Sequence, residues 1–171
     1  QQGWTVVSGF MYGVDQAAHQ AAIENGGKTI AILGGGINYK NREFINLEEK
    51  IIEAGGLIIS EWEGQEPALW TFPYRNRIVA AVSQEVIVVE AAIQSGSLIT
   101  AQMASKLNRP VWAVPGPLTS KVSAGTNQLI ADGAAKMWRE ISQVSQTSSI
   151  NNTEIYIALQ NDTLTLDEIS I

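Results

Sequence analysis

Arg75-Asn76-Arg77 sets two guanidiniums around an amide, just past Pro73 and at the mouth of an apolar run with helical spacing. Arginines at a helix start, beside backbone N–H groups left unpaired in the first turn, make an anion site. The same side chains could instead pair with Glu61, Glu63 or Glu85, since structural ion pairs of this kind are common. Ser95-Gly96-Ser97 repeats the logic at a second helix start. Either serine could simply cap the helix. Alternatively the hydroxyls and N–H groups hold a phosphate, with the glycine allowing close approach. Gly9 to Gly13, ahead of Asp15, is a third loop of this kind. Gly34-Gly35-Gly36 is a fourth, and it lacks the G-x-G-x-x-G spacing of dinucleotide binders. Gly125-Thr126-Asn127 is a fifth, where Thr126 or Asn127 could be a helix cap.

No nucleophile, base and orienting group stand together in the sequence. Asp15 and Glu90 are acid–base candidates that nothing pairs. His19 is the single histidine, set among alanines, and reads as a packing residue. With no cysteine and one histidine, Cys-based zinc sites and multi-histidine metal sites are excluded, and no metal cluster is expected. No apolar run reaches the roughly 18 residues of a membrane span, and no basic-then-apolar leader is visible. No membrane partner is expected, and a cytoplasmic setting is.

The elements that must position these loops follow from periodicity. Short Val- and Ile-rich runs at 4–9, 28–33, 57–60, 85–89, 110–114 and 134–138 read as strands covered on both faces. Helical spacing fills 14–24, 44–54, 73–82, 97–107 and 126–132 between them. Alternation of this kind predicts βαβ units: a Rossmann-like, doubly wound, mainly parallel sheet with helices on both faces. In such sheets ligands bind beyond the carboxyl ends of the strands, where all five loops fall. The stretch 61–72 reads as a long loop, a length usually either functional or disordered in a compact domain. Residues 142–153 are polar and linker-like, and a short apolar helix candidate follows. The expected organisation is a Rossmann-like domain over 1–140, a linker over 141–153 and the beginning of a small helical module over 154–171. The chain opens on Gln1 close to a strand, so it is expected to begin inside a larger protein.

SGFMYGVDQAAHQAA, TIAILGGGI, FPYRNRIVAAVSQEVIVVEAAIQSGSLITAQMA, VWAVPGP and SAGTNQLIADGAA, in that order, resemble the DNA-processing protein A (DprA/Smf) family over residues 5–138. The resemblance implies an extended Rossmann DNA-binding domain, here 1–140, that binds single-stranded DNA and helps load a RecA-type recombinase during natural transformation, and it makes 154–171 the start of a winged-helix-like module. It implies no enzymatic activity, no required cofactor and a tendency to form homodimers. The nucleic-acid-binding set it suggests is Gly9, Tyr12, Gly13, Gly35, Arg75, Asn76, Arg77, Ser95, Gly96, Ser97, Lys121 and Asn127. Met11-Tyr12 stands where Ala-Arg is usual, so one cation is replaced by a ring that could stack on a base, as could Phe72, Tyr74 or Trp70. The family's usual first strand, ahead of residue 1, is absent. The acidic net charge of −6 works against attraction of DNA outside the pocket.

A competing reading is a nucleotide phosphoribohydrolase of the lysine-decarboxylase-like (LOG) type, which shares the fold. Those enzymes carry a glutamate where this chain has Gln102, which removes an acid–base group. A third reading is an interaction domain whose Arg75-Asn76-Arg77 is only structural.

Overall fold

The computed structural model describes residues 3–39 and 43–139. It divides into a unit over Gln1–Met137 and a unit over Trp138–Ile171. The predicted linker and winged-helix start lie outside the described residues.

In the first unit, strands and helices alternate: β1 (Thr5–Ser8), α1 (Val14–Glu24), β2 (Lys28–Ile32), α2 (Ile45–Glu53), β3 (Leu57–Ile59), α3 (Thr71–Val82), β4 (Val86–Val88), α4 (Gly96–Lys106), β5 (Val111–Ala113), α5 (Ala124–Ala131) and β6 (Lys136–Met137). A 3-10 turn at Lys121–Ser123 leads into α5. Every strand pairing is parallel. The result is a mixed α/β fold with parallel sheets and helices. One continuous sheet was expected; two ladders are found, β1-β2-β3 and β4-β5-β6, with no ladder joining β1 to β4 among the described residues. Side chains of α3, described below, make the connection that backbone pairing does not.

Each ladder has its own core. Phe10, Ala31, Leu33, Phe44 and Ile51 are buried around the first. Ala80, Val86, Val88, Ala101, Ala104, Val111 and Ala113 are buried around the second. Alanines at Ala101 and Ala104 let α4 lie close to β4 and β5, and α3 packs along α4. His19 is fully buried, with Nδ1 2.6 Å from Thr29 Oγ1 and its ring 5.6 Å from Phe10, so it does pack α1 on β2. Helix α2 stops at Gly55, whose φ of +72° is the left-handed turn that glycine enters without strain. With the Gly56 N–H bonded to Ile51 O at 2.8 Å, the chain reverses directly into β3.

Candidate nucleic-acid interface

Helix α3 begins at Thr71, so Pro73 sits in its first turn, where a missing N–H costs nothing. Successive residues on a helix point about 100° apart. Arg75, Asn76 and Arg77 therefore serve three different neighbours. Arg75 is 1% exposed, and its Nη1 donates to the carbonyls of Gly9, just past β1, and of Ile32, at the end of β2. A Cβ at residue 9 would lie 2.8 Å from Arg75 Nη2, so glycine makes the seat for the guanidinium. Burial lowers the Arg75 pKa to about 10, with the Asp15 carboxylate pulling the other way, so the group remains charged at neutral pH. Asp15 accepts from Ser8 Oγ at 2.6 Å and from Met11 N at 3.0 Å, which ties the turn after β1 to the start of α1.

Asn76 points to the second ladder: its Nδ2 donates to Gly96 O at 3.2 Å. Arg77 points to the third neighbour. It pairs with Glu61, and its Cζ lies 4.3 Å from the Tyr74 ring centroid. Of the two readings open for these guanidiniums, the geometry follows the structural one, the pairing with Glu61 included. Arg75 is a strut between strand ends, and Arg77 is an ion-paired side chain only 9% exposed. Asn76 is the member of the triplet that reaches a loop open to solvent.

Two further loops also turn inward. Gly35 is buried, and a Cβ there would lie 2.7 Å from Pro67 Cγ, because the loop after β3 lies on top of the glycine run. Asn127 holds the loop after β5: its Oδ1 accepts from Gly116 N at 3.1 Å and its Nδ2 donates to Gly116 O at 3.0 Å.

Ser95-Gly96-Ser97 is open. Gly96 and Ser97 are exposed, and Ser95 caps α4 by accepting from Ser97 N at 3.3 Å. A Cβ on Gly96 would meet only Asn76 Nδ2, at 3.8 Å. Gly13 is exposed with φ 85° and ψ −119°, a conformation reserved for glycine. Beside it, Tyr12 is 61% exposed, with its ring 4.8 Å from that of Phe44. Lys121 is exposed on the turn before α5. Gly125 N bonds Ala91 O at 2.8 Å, so that helix start adjoins the segment leading from β4 to Ser95.

The electrostatics of the strand ends divide in the same way. Helices α3, α4 and α5 have no acidic residue in their first turns, so their positive dipole ends are not neutralised from within. The first turns of α1 and α2 hold Asp15 and Glu48. The net charge of −6 is also unevenly placed. Residues 140–171 hold Glu140, Glu154, Asp162, Asp167 and Glu168 and no lysine or arginine. Residues 1–139 hold all eleven basic residues against twelve acidic ones, so that stretch is nearly balanced.

Sequence reasoning missed Phe10, which takes φ 60° although it is not glycine, and whose ring is buried 5.1 Å from Phe44. Nothing in the local sequence marks a phenylalanine for that backbone. It also gave Asp15 too small a part. A lone aspartate between Gly13 and an alanine-rich helix was the available signal. Among the described residues, no group of three or more His, Cys, Asp or Glu could hold a metal ion, and no helix is long and apolar enough to cross a membrane.

Comparison with known proteins assigns the lineage. Residues 1–149 match the family described as DNA recombination-mediator protein A. The chain is 43% identical over 135 residues to Protein Smf of Escherichia coli, covering 78% of this chain and 36% of that protein. It is 42% identical over 130 residues to the DNA processing protein DprA of Streptococcus pneumoniae, covering 75% and 46% respectively. The X-ray structure of that protein superposes with a TM-score of 0.77 at 38% identity, over 86% of this chain and 52% of the other. A structure of DNA processing protein A from Helicobacter pylori, solved to describe its single-stranded DNA binding mode, superposes with a TM-score of 0.68 at 30% identity, over 91% and 66%. The chain thus spans less than half the length of the two curated relatives. On these matches, this chain belongs to the DNA recombination-mediator protein A family.

Proposed function

We propose that this chain binds single-stranded DNA along the carboxyl edge of its strands. We further infer that it helps load a RecA-type recombinase onto incoming DNA during natural transformation. The observation that carries the reading is the open start of α4. There Gly96 and Ser97 are exposed, no acid stands in the first turn, and only Asn76 Nδ2 comes within 4 Å of where a Cβ on the glycine would lie. Backbone N–H groups in that position suit a phosphate. Tyr12, exposed beside Gly13, supplies a ring on which a base can stack without regard to sequence. Lys121 supplies a solvent-facing cation. Asn76 positions the Gly96 loop, while Gly9, Gly35, Arg75, Arg77 and Asn127 support the scaffold around it.

The reading includes a homodimer and a recombinase partner, and neither a cofactor nor a catalytic cycle. The phosphoribohydrolase alternative would need an acid–base group where Gln102 stands, and is tested by base release from nucleoside monophosphates. Turnover that disappears in Glu90→Gln would revive it. The binding reading is tested by fluorescence anisotropy of labelled oligo-dT at several salt concentrations. Lys121→Ala is expected to weaken binding and to flatten the log–log salt slope by about 0.7, the value for one lost phosphate contact on a single strand. An unchanged slope would remove Lys121 from the path. The recombinase step is tested by the rate of filament assembly on DNA precoated with a single-strand-binding protein, with and without this chain.

A further inference from the structure

The outer side of the first ladder carries a cleft that the DNA reading does not use. It lies between α2 and β3 and measures about 430 Å³. Ile58 stands opposite Ala31 in register, and Leu33 is two residues on from Ala31, so both side chains share one face of the sheet. Together they form the apolar floor. Ile37 and Ile52 form the walls, 38% and 55% exposed. The Ile37 wall is held by the loop after β3. Gly36 N donates to Gln65 O at 2.7 Å and Ile37 N to Trp62 O at 2.8 Å. A Cβ on Gly36 would stand 2.5 Å from Glu63 O, so that loop lies directly on the glycine run. Apolar side chains fixed around an open cleft mark an interaction surface, and their rigidity lowers the entropy lost on binding.

The backbone beside the cleft is open as well. β3 is the outer strand of its ladder, with no further strand on that side among the described residues. Leu33 N donates to Ile59 O at 2.8 Å, so Ile59 faces β2 and Ile58 turns its own N–H and C=O to the open side. An open strand edge next to apolar pockets suits an extended peptide. Charge selects which one. Glu49 and Glu53 line the cleft from α2 and are exposed, and Glu48 lines it from a buried place. These carboxylates repel phosphate, and Glu48 offsets the positive end of the α2 dipole. The lining includes neither Tyr12, Trp70, Phe72 nor Tyr74, nor any residue of α3 or α4, so the cleft stands apart from the DNA edge. A second copy joined by a twofold axis would bring the same carboxylates against one another. The segment 140–171, acidic and without a lysine or arginine, has the wrong sign too. We propose that the α2–β3 cleft docks an extended, lysine-bearing segment of a partner protein. The segment runs along β3 and bonds the Ile58 backbone. One of its apolar side chains fills the floor over Leu33 and Ile58, and an ammonium two residues along meets Glu49 and Glu53.

The test uses the 171-residue chain and a labelled heptapeptide in which leucine, lysine and leucine alternate with threonine, so that all three share one face of a strand. A control peptide carries glutamate in place of the lysine. Anisotropy is read for the parent, for Ile52→Ala, and for Glu49→Gln with Glu53→Gln, with unlabelled oligo-dT as competitor and sedimentation of each protein. Hydrogen exchange of the Ile58 N–H is followed by NMR with and without peptide. The parent should bind the lysine peptide and ignore the control, and the Ile58 N–H should exchange more slowly in the complex. Ile52→Ala, which leaves charge alone, should lose about tenfold in affinity, as truncating an anchor side chain does. The Glu49/Glu53 pair should bind more weakly with less salt dependence. Oligo-dT should not displace the peptide. Several outcomes would overturn the proposal. One is no binding by the parent at millimolar peptide. Another is affinity indifferent to Ile52, which would be general attraction to an acidic protein. Unmoved exchange at Ile58 would take the peptide off the β3 edge, and displacement by oligo-dT would put the cleft on the DNA path. Loss of self-association in Ile52→Ala would make it a contact between copies.

Discussion

Arg75 shows how a residue can be right in kind and wrong in direction. Its charge and its place at a helix start are visible in the sequence. Which way it faces depends on Gly9 and Ile32, far away along the chain, whose carbonyls it bonds. Removing it leaves two buried acceptors unpaired, at about 1–3 kcal/mol each, together with a cavity. Arg75→Ala is therefore expected to lose roughly 3 kcal/mol or more in urea denaturation. A variant with parental stability but a flattened DNA salt slope would put Arg75 back on the rim. Tyr12 is the opposite case, since its exposure leaves little for the fold to lose. Tyr12→Ala should weaken oligo-dT binding by about 1–3 kcal/mol with the salt slope unchanged. Loss of thermal stability in step with affinity would assign the ring to packing instead. His19 gives a pH signature. Burial lowers its pKa below the ordinary 6.5, with Asp15 opposing. The unfolded chain thus binds the proton more readily, and this residue's stabilisation is complete above that value and lost as pH falls below it. His19→Gln should be less stable than the parent at pH 7.5, and that difference should shrink by pH 5. A gap that holds constant with pH would mean that the imidazole does not titrate on unfolding.

At the scale of elements, the hydropathy pattern reveals most of the fold. The helix expected over 14–24 is found at Val14–Glu24, and each predicted strand is found, some shorter by a residue or two at one or both ends. Their order follows because strands covered on both faces need crossover helices. Helix α3 begins two residues earlier than the proline suggests. Thr71 Oγ1 accepts from Ala68 N at 3.0 Å and starts the turn from outside the apolar pattern. The glycine run after β2 was the least legible element. Glycine permits close approach by anything, and the pattern does not say whether the visitor is a phosphate or the protein's own loop. Here it is the loop after β3. Gly36→Ala should therefore cost about 1–3 kcal/mol by overpacking. It should also red-shift tryptophan emission as Trp62 loosens, without changing the net charge. A stable variant with parental fluorescence would show that the loop does not depend on that contact.

At the scale of the molecule, the two parallel ladders bring separate strand ends to one helix. Arg75 reaches the ends of β1 and β2, and its neighbour Asn76 reaches the loop after β4. That convergence could be inferred from the rule that ligands gather at carboxyl edges. The separation into two ladders could not, because short strands carry no mark of which edges pair. Nor does a total charge show that the acidic excess sits in residues 140–171. The central claim is that DNA phosphate meets the backbone at the start of α4, and Gly96→Val tests it most directly. A Cβ there would meet only Asn76 Nδ2, at an ordinary contact distance of 3.8 Å, so the fold should keep its stability, and a loss of affinity at unchanged stability is assigned to the ligand. Anisotropy with labelled oligo-dT, beside circular dichroism melts, should show affinity reduced about tenfold or more (a loss of about 1.4 kcal/mol) at an unchanged melting temperature. Equal affinity in parent and variant, across the whole salt range, would contradict the account.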